Sequence, residues 1–260
     1  MPPYGASRLL PRPRRTVPYR LVCGRFVSAT PPSELAAYFG AALGGVSVAE
    51  GVSIPDNYNV APTNEIYAVV DTPDGPEVAA FHWGLIPSWA KDRKIASTMI
   101  NARSETILSK PVFKGLFAAK RCIIPADGFY EWKAGAGLPD AKGKPTKQPH
   151  FIHSLSGEPL ALAGLWTTWR DPAAPDAGRL HSATIITTEA NATLRPVHDR
   201  MPVLLPTSAW RQWLDIGNRD VDSLAVFLTP APDSLLTMHA VATDVNSVRN
   251  NGSALVVPVG

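Results

Sequence analysis

A carboxylate, an imidazole, amides and guanidiniums recur here inside apolar or glycine- and proline-bounded stretches. Glu131 lies within Ala126-Asp127-Gly128-Phe129-Tyr130-Glu131-Trp132. In an extended strand successive side chains alternate, so Glu131 points away from both flanking aromatics. If that face lines a partly buried pocket, desolvation raises its pKa toward general acid or base use. His198 lies in Val197-His198-Asp199-Arg200-Met201-Pro202, an imidazole and a guanidinium on adjacent sides of one loop. A lone histidine is more often structural than catalytic, yet the other histidines lack comparable polar neighbours. Asn101 and Arg103, two apart in Ile100-Asn101-Ala102-Arg103-Ser104-Glu105, face one side if extended. Alternatively Ser104 caps the next helix and Arg103 pairs with Glu105. Asn59 and Pro62 belong to Asn57-Tyr58-Asn59-Val60-Ala61-Pro62-Thr63, whose asparagines could serve only as Asx-turn formers. Trp83 and Trp89 default to core roles, although Trp89, beside Ser88, could stand at a surface where a base stacks. No His/Cys cluster is present, so no metal or other cofactor is expected, and the arginines suit a phosphate-bearing partner.

The elements that must position these groups are mostly strands. Strand-like runs cover Glu65–Val70, Glu77–Ile86, Arg121–Trp132, His150–Leu155, Leu160–Trp169, His181–Thr188 and Met238–Val245. Turn signals such as Pro73-Asp74-Gly75-Pro76 and Ser156-Gly157-Glu158-Pro159 separate them. Thr30 to Glu34 followed by Leu35 to Phe39 reads as a capped short helix. Further helical stretches run from about Ser104 to Phe117, interrupted by Pro111, and around Thr207–Leu214 and Val221–Leu228. Lys133–Pro149, rich in lysine, glycine and proline, reads as a flexible hairpin loop. The expected fold is α+β: a single domain with a mostly antiparallel sheet or partial β-barrel core and peripheral short helices.

Composition agrees with a globular chain. Of 260 residues 45% are hydrophobic and 18% charged, which excludes a disordered polyelectrolyte. Prolines number 26, about twice the usual ~5% share, which argues against long uninterrupted helices. No apolar run approaches the roughly 18 residues of a membrane span, so no membrane partner is expected. The formal charge of +3 is unevenly spread: residues 1–22 hold five arginines and no acid, which leaves 20 Lys+Arg against 22 Asp+Glu in 23–260. Residues 1–22 are expected to be a leader that is removed or not translated, with the working domain spanning 23–260. Of the two cysteines, Cys122 sits in the apolar Arg121-Cys122-Ile123-Ile124-Pro125 and reads as a buried structural thiol. Cys23 opens Cys23-Gly24-Arg25-Phe26, directly after the leader.

Together these segments resemble the SOS-response-associated peptidase (SRAP) family of abasic-site-processing proteins. The resemblance runs in order through Cys23-Gly24-Arg25-Phe26, Tyr58-Asn59-Val60-Ala61-Pro62, Trp83-Gly84, Ile100 to Thr106, Ala126 to Trp132, His198 to Pro202 and Val248-Arg249-Asn250. It implies a cytoplasmic, monomeric protein that acts on single-stranded DNA containing abasic sites in the DNA damage response. It also implies that Cys23 is the first residue of the mature chain, a 1,2-aminothiol whose amine attacks the ring-opened sugar and whose thiol closes a thiazolidine crosslink. Lyase, crosslink-reversal and self-processing peptidase activities are implied as well. By matching position Asn101 orients Cys23 and the sugar, Glu131 assists proton transfer, and His198 is the acid/base partner. Arg25, Arg103 and Arg200 are expected on backbone phosphates, and Asn59, Pro62 and Trp89 on bases near the lesion. Ala90 departs from the second aromatic that family members often carry after Trp89, which bears on preference for a single-strand/duplex junction.

Two other classes are compatible with parts of the sequence. An N-terminal Cys-Gly also begins glutamine amidotransferases of the N-terminal-nucleophile class, which predicts glutaminase activity and leaves His198-Asp199-Arg200 unexplained. A non-catalytic single-strand-binding module predicts equal affinity for intact and abasic oligonucleotides and no covalent product.

Overall fold

Several strands of this chain are apolar at consecutive positions rather than alternate ones, and the reason is that both of their faces are covered. All six residues of Arg121–Ala126 are buried, as are most of Glu65–Thr72 and Leu160–Trp169. One set of faces, with Ile66, Ala68, Val70, Phe81, Trp83, Ile124, Leu162, Ala183 and Ile185, points into a single core. The other set, with Tyr67, Val69, Val78, Ile123, Ala163, Leu165 and Ile186, packs against helices.

We describe residues 23–44, 54–139, 142–143 and 145–259 in a computed structural model. The strands are β1 (Phe26–Ser28), β2 (Ala42–Leu43), β3 (Asn57–Val60), β4 (Glu65–Thr72), β5 (Gly75–Trp83), β6 (Asn101–Arg103) and β7 (Arg121–Ala126). They continue with β8 (Gly128–Pro139), β9 (Pro145–Ser154), β10 (Leu160–Trp169), β11 (Leu180–Glu189), β12 (Arg200–Pro202) and β13 (Leu236–Ala240). The α-helices are α1 (Pro32–Phe39), α2 (Pro111–Ala119), α3 (Thr207–Leu214) and α4 (Val221–Ala225). None of the described helices is long and apolar enough to cross a membrane.

β5, β4, β7, β10 and β11 pair antiparallel in that order. β11 then pairs in parallel with β5 through Ser182 opposite His82 and Ala183 opposite Trp83, which closes a five-stranded barrel. β6 and β12 extend β11 where it leaves the barrel. An antiparallel second sheet, ordered β13-β9-β8-β1-β3, lies beside it. The α+β single domain with a barrel core and short peripheral helices is therefore the observed architecture.

Boundaries differ from the sequence expectations for identifiable reasons. Arg121–Trp132 is two strands, because the chain passes from barrel to second sheet at Asp127. The Asp127 carboxylate accepts from the Ala29 N–H at 2.6 Å, the Thr30 N–H at 3.1 Å and the Thr30 hydroxyl. The N-cap position of α1 falls on Pro31, which has no side-chain acceptor, so α1 begins without a side-chain cap. Lys133–Pro149 is not a loop: most of it forms the arms of the β8–β9 hairpin, with Lys133 opposite Gln148 and Gly137 opposite Thr146. Asn57–Val60 pairs with β1 as a strand instead of forming only turns. Ser104 to Phe117 divides into a 3-10 turn, Ser104–Thr106, and α2, which starts at Pro111.

The Trp83-Gly84 pair shows how a short motif encodes this geometry. Gly84 has φ of 118°, and a Cβ there would lie 2.5 Å from the Ala96 carbonyl oxygen. Gly84→Ala is expected to cost about 2–4 kcal/mol, measured by urea denaturation. Gly115→Ala, inside α2 with open space around it, is expected to stabilise by about 0.5–1 kcal/mol. Equal effects at both positions would contradict the assigned backbone.

Candidate active site

β1 lies antiparallel to β8 with Phe26 opposite Phe129 and Val27 opposite Gly128. Each step back along β1 is a step forward along β8, so the Tyr130 amide donates to the Arg25 carbonyl at 3.0 Å. The same register brings the Cys23 backbone N–H to Glu131, 2.6 Å from Oε1. Cys23 is fully buried and Glu131 is 3% exposed. Alternation sends Tyr130 and Trp132 to the opposite face. There the Tyr130 hydroxyl donates to the Tyr58 carbonyl at 2.8 Å and the Trp132 indole to Asn246 Oδ1 at 2.7 Å.

His198, also buried, precedes β12 and faces the same carboxylate, its Nε2 4.0 Å from Glu131 Oε2. Its Nδ1 accepts the Arg200 backbone N–H at 3.1 Å and lies 3.0 Å from Asp199 Oδ1. Nδ1 thus lies between a backbone donor and a carboxylate, and Nε2 is the ring nitrogen that faces Glu131. Burial pushes the Glu131 carboxyl up to about 8, against the opposing hydrogen bond from the Cys23 N–H. Burial, reinforced by the Glu131 charge, also pushes the Cys23 thiol well above its ordinary range. The three groups thus form a dry cluster in which a carboxyl can hold or release a proton near neutral pH, between a chain nitrogen and an imidazole. Cys23 also carries backbone strain: it and Thr63 are the non-glycine residues of positive φ among those described, at 45° and 74°.

The remaining sequence candidates divide into two groups. Asn101 opens β6 opposite Ile185 of β11, with its side-chain oxygen buried. Arg103 is exposed on the same strand, opposite Thr187. Arg200 follows on β12 and forks onto Glu105, with Nη1 2.5 Å from Oε1 and Nη2 3.0 Å from Oε2. Glu105 thus reaches Arg200 across the fold. Trp89 is 69% exposed in the loop after β5, and Pro62 is half-buried in the turn after β3. Ala90 is buried, packs with Ile86, Ala96 and Trp169, and accepts the Trp169 indole N–H at 2.8 Å through its carbonyl. The position that departs from an aromatic is therefore part of a small core.

Arg25 and Asn59 have a structural task as well. Arg25 Nη1 donates to Asn59 Oδ1 at 2.7 Å and to the Val245 carbonyl at 2.8 Å. The buried Asn59 amide in turn donates to the carbonyls of Val245, Ser247 and Asn250. These two residues bind the segment bearing the Val248-Arg249-Asn250 motif to β1 and β3, and Arg249 is exposed within it. Sequence inspection passed over Thr187, whose carbonyl and hydroxyl accept from Arg200 at 2.8 and 3.3 Å. Its signal is the pair of buried hydroxyls, Thr187-Thr188, that follows the apolar Ile185-Ile186 near the end of β11. Among the described residues no group of three or more His, Cys, Asp or Glu is arranged to hold a metal.

A family model described as SOS response associated peptidase (SRAP) matches residues 22–248. The chain is 38% identical over 235 residues to the abasic site processing protein YoqW of Bacillus subtilis, a match spanning 90% of this chain and 99% of that protein. It is 42% identical over 200 residues to the Bacillus subtilis abasic site processing protein YoaM, covering 77% and 84% of the two chains. It is also 35% identical over 188 residues to the abasic site processing protein HMCES of Xenopus tropicalis, covering 67% of this chain and 55% of that protein. A solved structure of a Bacteroides thetaiotaomicron protein has a TM-score of 0.77 and 25% identity, covering 91% of this chain and all of that one. By its motifs, its barrel and these matches, the chain belongs to the SOS response associated peptidase family.

Proposed function

We propose that the protein processes abasic sites in single-stranded DNA by forming a thiazolidine crosslink through the amine and thiol of Cys23. One observation carries this: the Cys23 nitrogen lies 2.6 Å from a buried carboxylate that also faces His198. The relatives' shared name, abasic site processing protein, supplies the substrate class.

The working chain starts at Cys23, with residues 1–22 removed or not translated. A family match that begins at residue 22 and the strained φ of 45° at Cys23 support that start. Without a preceding residue the nitrogen is an amine and that torsion no longer exists. Glu131 as carboxylate takes a proton from the Cys23 ammonium, and the neutral amine adds to C1′ of the ring-opened sugar. The resulting hydroxyl leaves as water with a proton from Glu131, and the protonated imine so formed passes its N–H proton back to the Glu131 carboxylate, giving a neutral imine. The buried thiol is held protonated, so it supplies the proton that the imine nitrogen gains as sulfur bonds to C1′. One water is lost overall. His198 moves the proton between the C1′ hydroxyl and the ring oxygen during sugar opening, and serves lyase and reversal steps from the same place. Asn101 orients the sugar. Arg103 and Arg200 meet flanking phosphates, Arg25 does so with whatever capacity its internal bonds leave, and Asn59, Pro62 and Trp89 border the bases.

With an abasic single-stranded oligonucleotide, protein beginning at Cys23 is expected to give a shifted band on denaturing electrophoresis. Cys23→Ala abolishes it, and Glu131→Gln or His198→Ala slows its appearance by about 100-fold. No shifted band from Cys23-first protein would overturn the proposal.

Glu131 also predicts a pH dependence of stability. Its folded pKa of about 8 exceeds the ordinary value of 4.5. The protonated form is thus favoured by folding, and this contribution is complete below the ordinary value and lost as pH rises through about 8. In the 260-residue chain, where the Cys23 nitrogen is an amide, the Tm advantage of Glu131→Gln over the parent is expected to grow from pH 5 to pH 9. A difference that shrinks over that range would contradict the burial of this carboxyl.

A further inference from the structure

Arg200 is expected to hold a DNA phosphate, yet its hydrogen-bonding edges are already taken. Its Nη1 and Nη2 fork onto Glu105, and Nη2 also reaches the Thr187 carbonyl at 2.8 Å. Its Nε is buried and has no hydrogen-bond partner among the described residues. A guanidinium has five N–H donors. Two are on the carboxylate, one is on Thr187 and one is out of reach, so a single Nη1 donor remains. Bidentate recognition of phosphate needs two parallel donors. A phosphate can therefore be gripped by this side chain only where Glu105 now sits.

We propose that Glu105 is a built-in competitor for the DNA backbone: its carboxylate holds the Arg200 fork in the DNA-free protein and is displaced into solvent when a strand binds. The inference rests on the DNA-binding function proposed above. Burial and tethering favour this exchange over a fixed triple contact. The Glu105 side chain is 50% exposed and can rotate into water, whereas that of Arg200 is 16% exposed and anchored to Thr187. The fork goes from one anion to another and is not left empty. Nor does the exchange disturb His198, which is held by the Arg200 backbone N–H rather than by its side chain. A lone phosphate must beat a well-fitted carboxylate, while a strand seated along Cys23 and Arg103 brings further contacts to bear. Glu105 thus discriminates against weak, single-contact anions.

Noncovalent affinity is measured by fluorescence anisotropy with a single-stranded oligonucleotide carrying a tetrahydrofuran abasic analogue, which has no aldehyde to crosslink. Glu105→Gln is expected to lower Kd by about three- to tenfold. Glu189→Gln removes the same charge from an exposed residue opposite Arg200 in the β11–β12 pair, and is expected to change Kd by less than about twofold. In an Arg200→Ala background the gain from Glu105→Gln disappears. Weaker or unchanged binding by Glu105→Gln, or a gain that survives Arg200→Ala, overturns the inference alone. Failure of the unsubstituted protein to bind the oligonucleotide overturns the DNA-binding function and this inference with it.

Discussion

The contact between the Cys23 nitrogen and the Glu131 carboxylate is where fold and chemistry meet. A carboxylate buried this deeply is expensive unless it is hydrogen-bonded, and the backbone of β1 supplies the bond. The position of that nitrogen follows from the β1–β8 register. The register in turn depends on the Asp127 clamp, which ties the end of β1 to the junction between barrel and second sheet. His198 reaches the same carboxylate from the segment that leaves β11. The site therefore sits where the closed barrel, the second sheet and the β11–β12 turn converge. A slip of one residue along β8 would turn Glu131 to the face of Tyr130 and Trp132 and dismantle it.

Much of this was legible in residue order. Leu160–Trp169 and Thr207–Leu214 have the bounds that their apolar patterns predict, because turns and prolines punctuate them sharply. Glu131 stood out because a carboxylate between two aromatics must go to the other face of a strand. Closure of the barrel was hidden. It depends on a two-residue parallel pairing between β5 and β11, a long-range contact with no local signal. The three-residue strands β1, β6 and β12 were equally hidden, since each exists only because a longer partner offers an edge. The partner of Arg200 could not be read either. Adjacency in sequence favours Arg103 for Glu105, whereas folding brings Arg200 to it from 95 residues away.

Charge takes on a different meaning in the folded chain. The formal +3 includes the five arginines of residues 1–22, and 23–260 carry slightly more acid than base. Attraction for a polyanion must then come from a few focused guanidiniums rather than from a basic surface. Arg25 and Arg200, both considered for that role, are bound within the protein, one to the Val245–Asn250 segment and one to Glu105. Such restraint keeps long side chains ordered before a ligand arrives and limits the entropy lost when it does.

In the proposed reaction the amine and thiol of one residue act together on one carbon. Peptide mapping of the crosslinked product after iodoacetamide treatment tests it most directly. The nucleotide remnant is expected on the peptide starting at Cys23, one water lighter than the sum of its parts, with the Cys23 sulfur protected from alkylation. A remnant on another residue, or an adduct whose Cys23 thiol still alkylates, would contradict it.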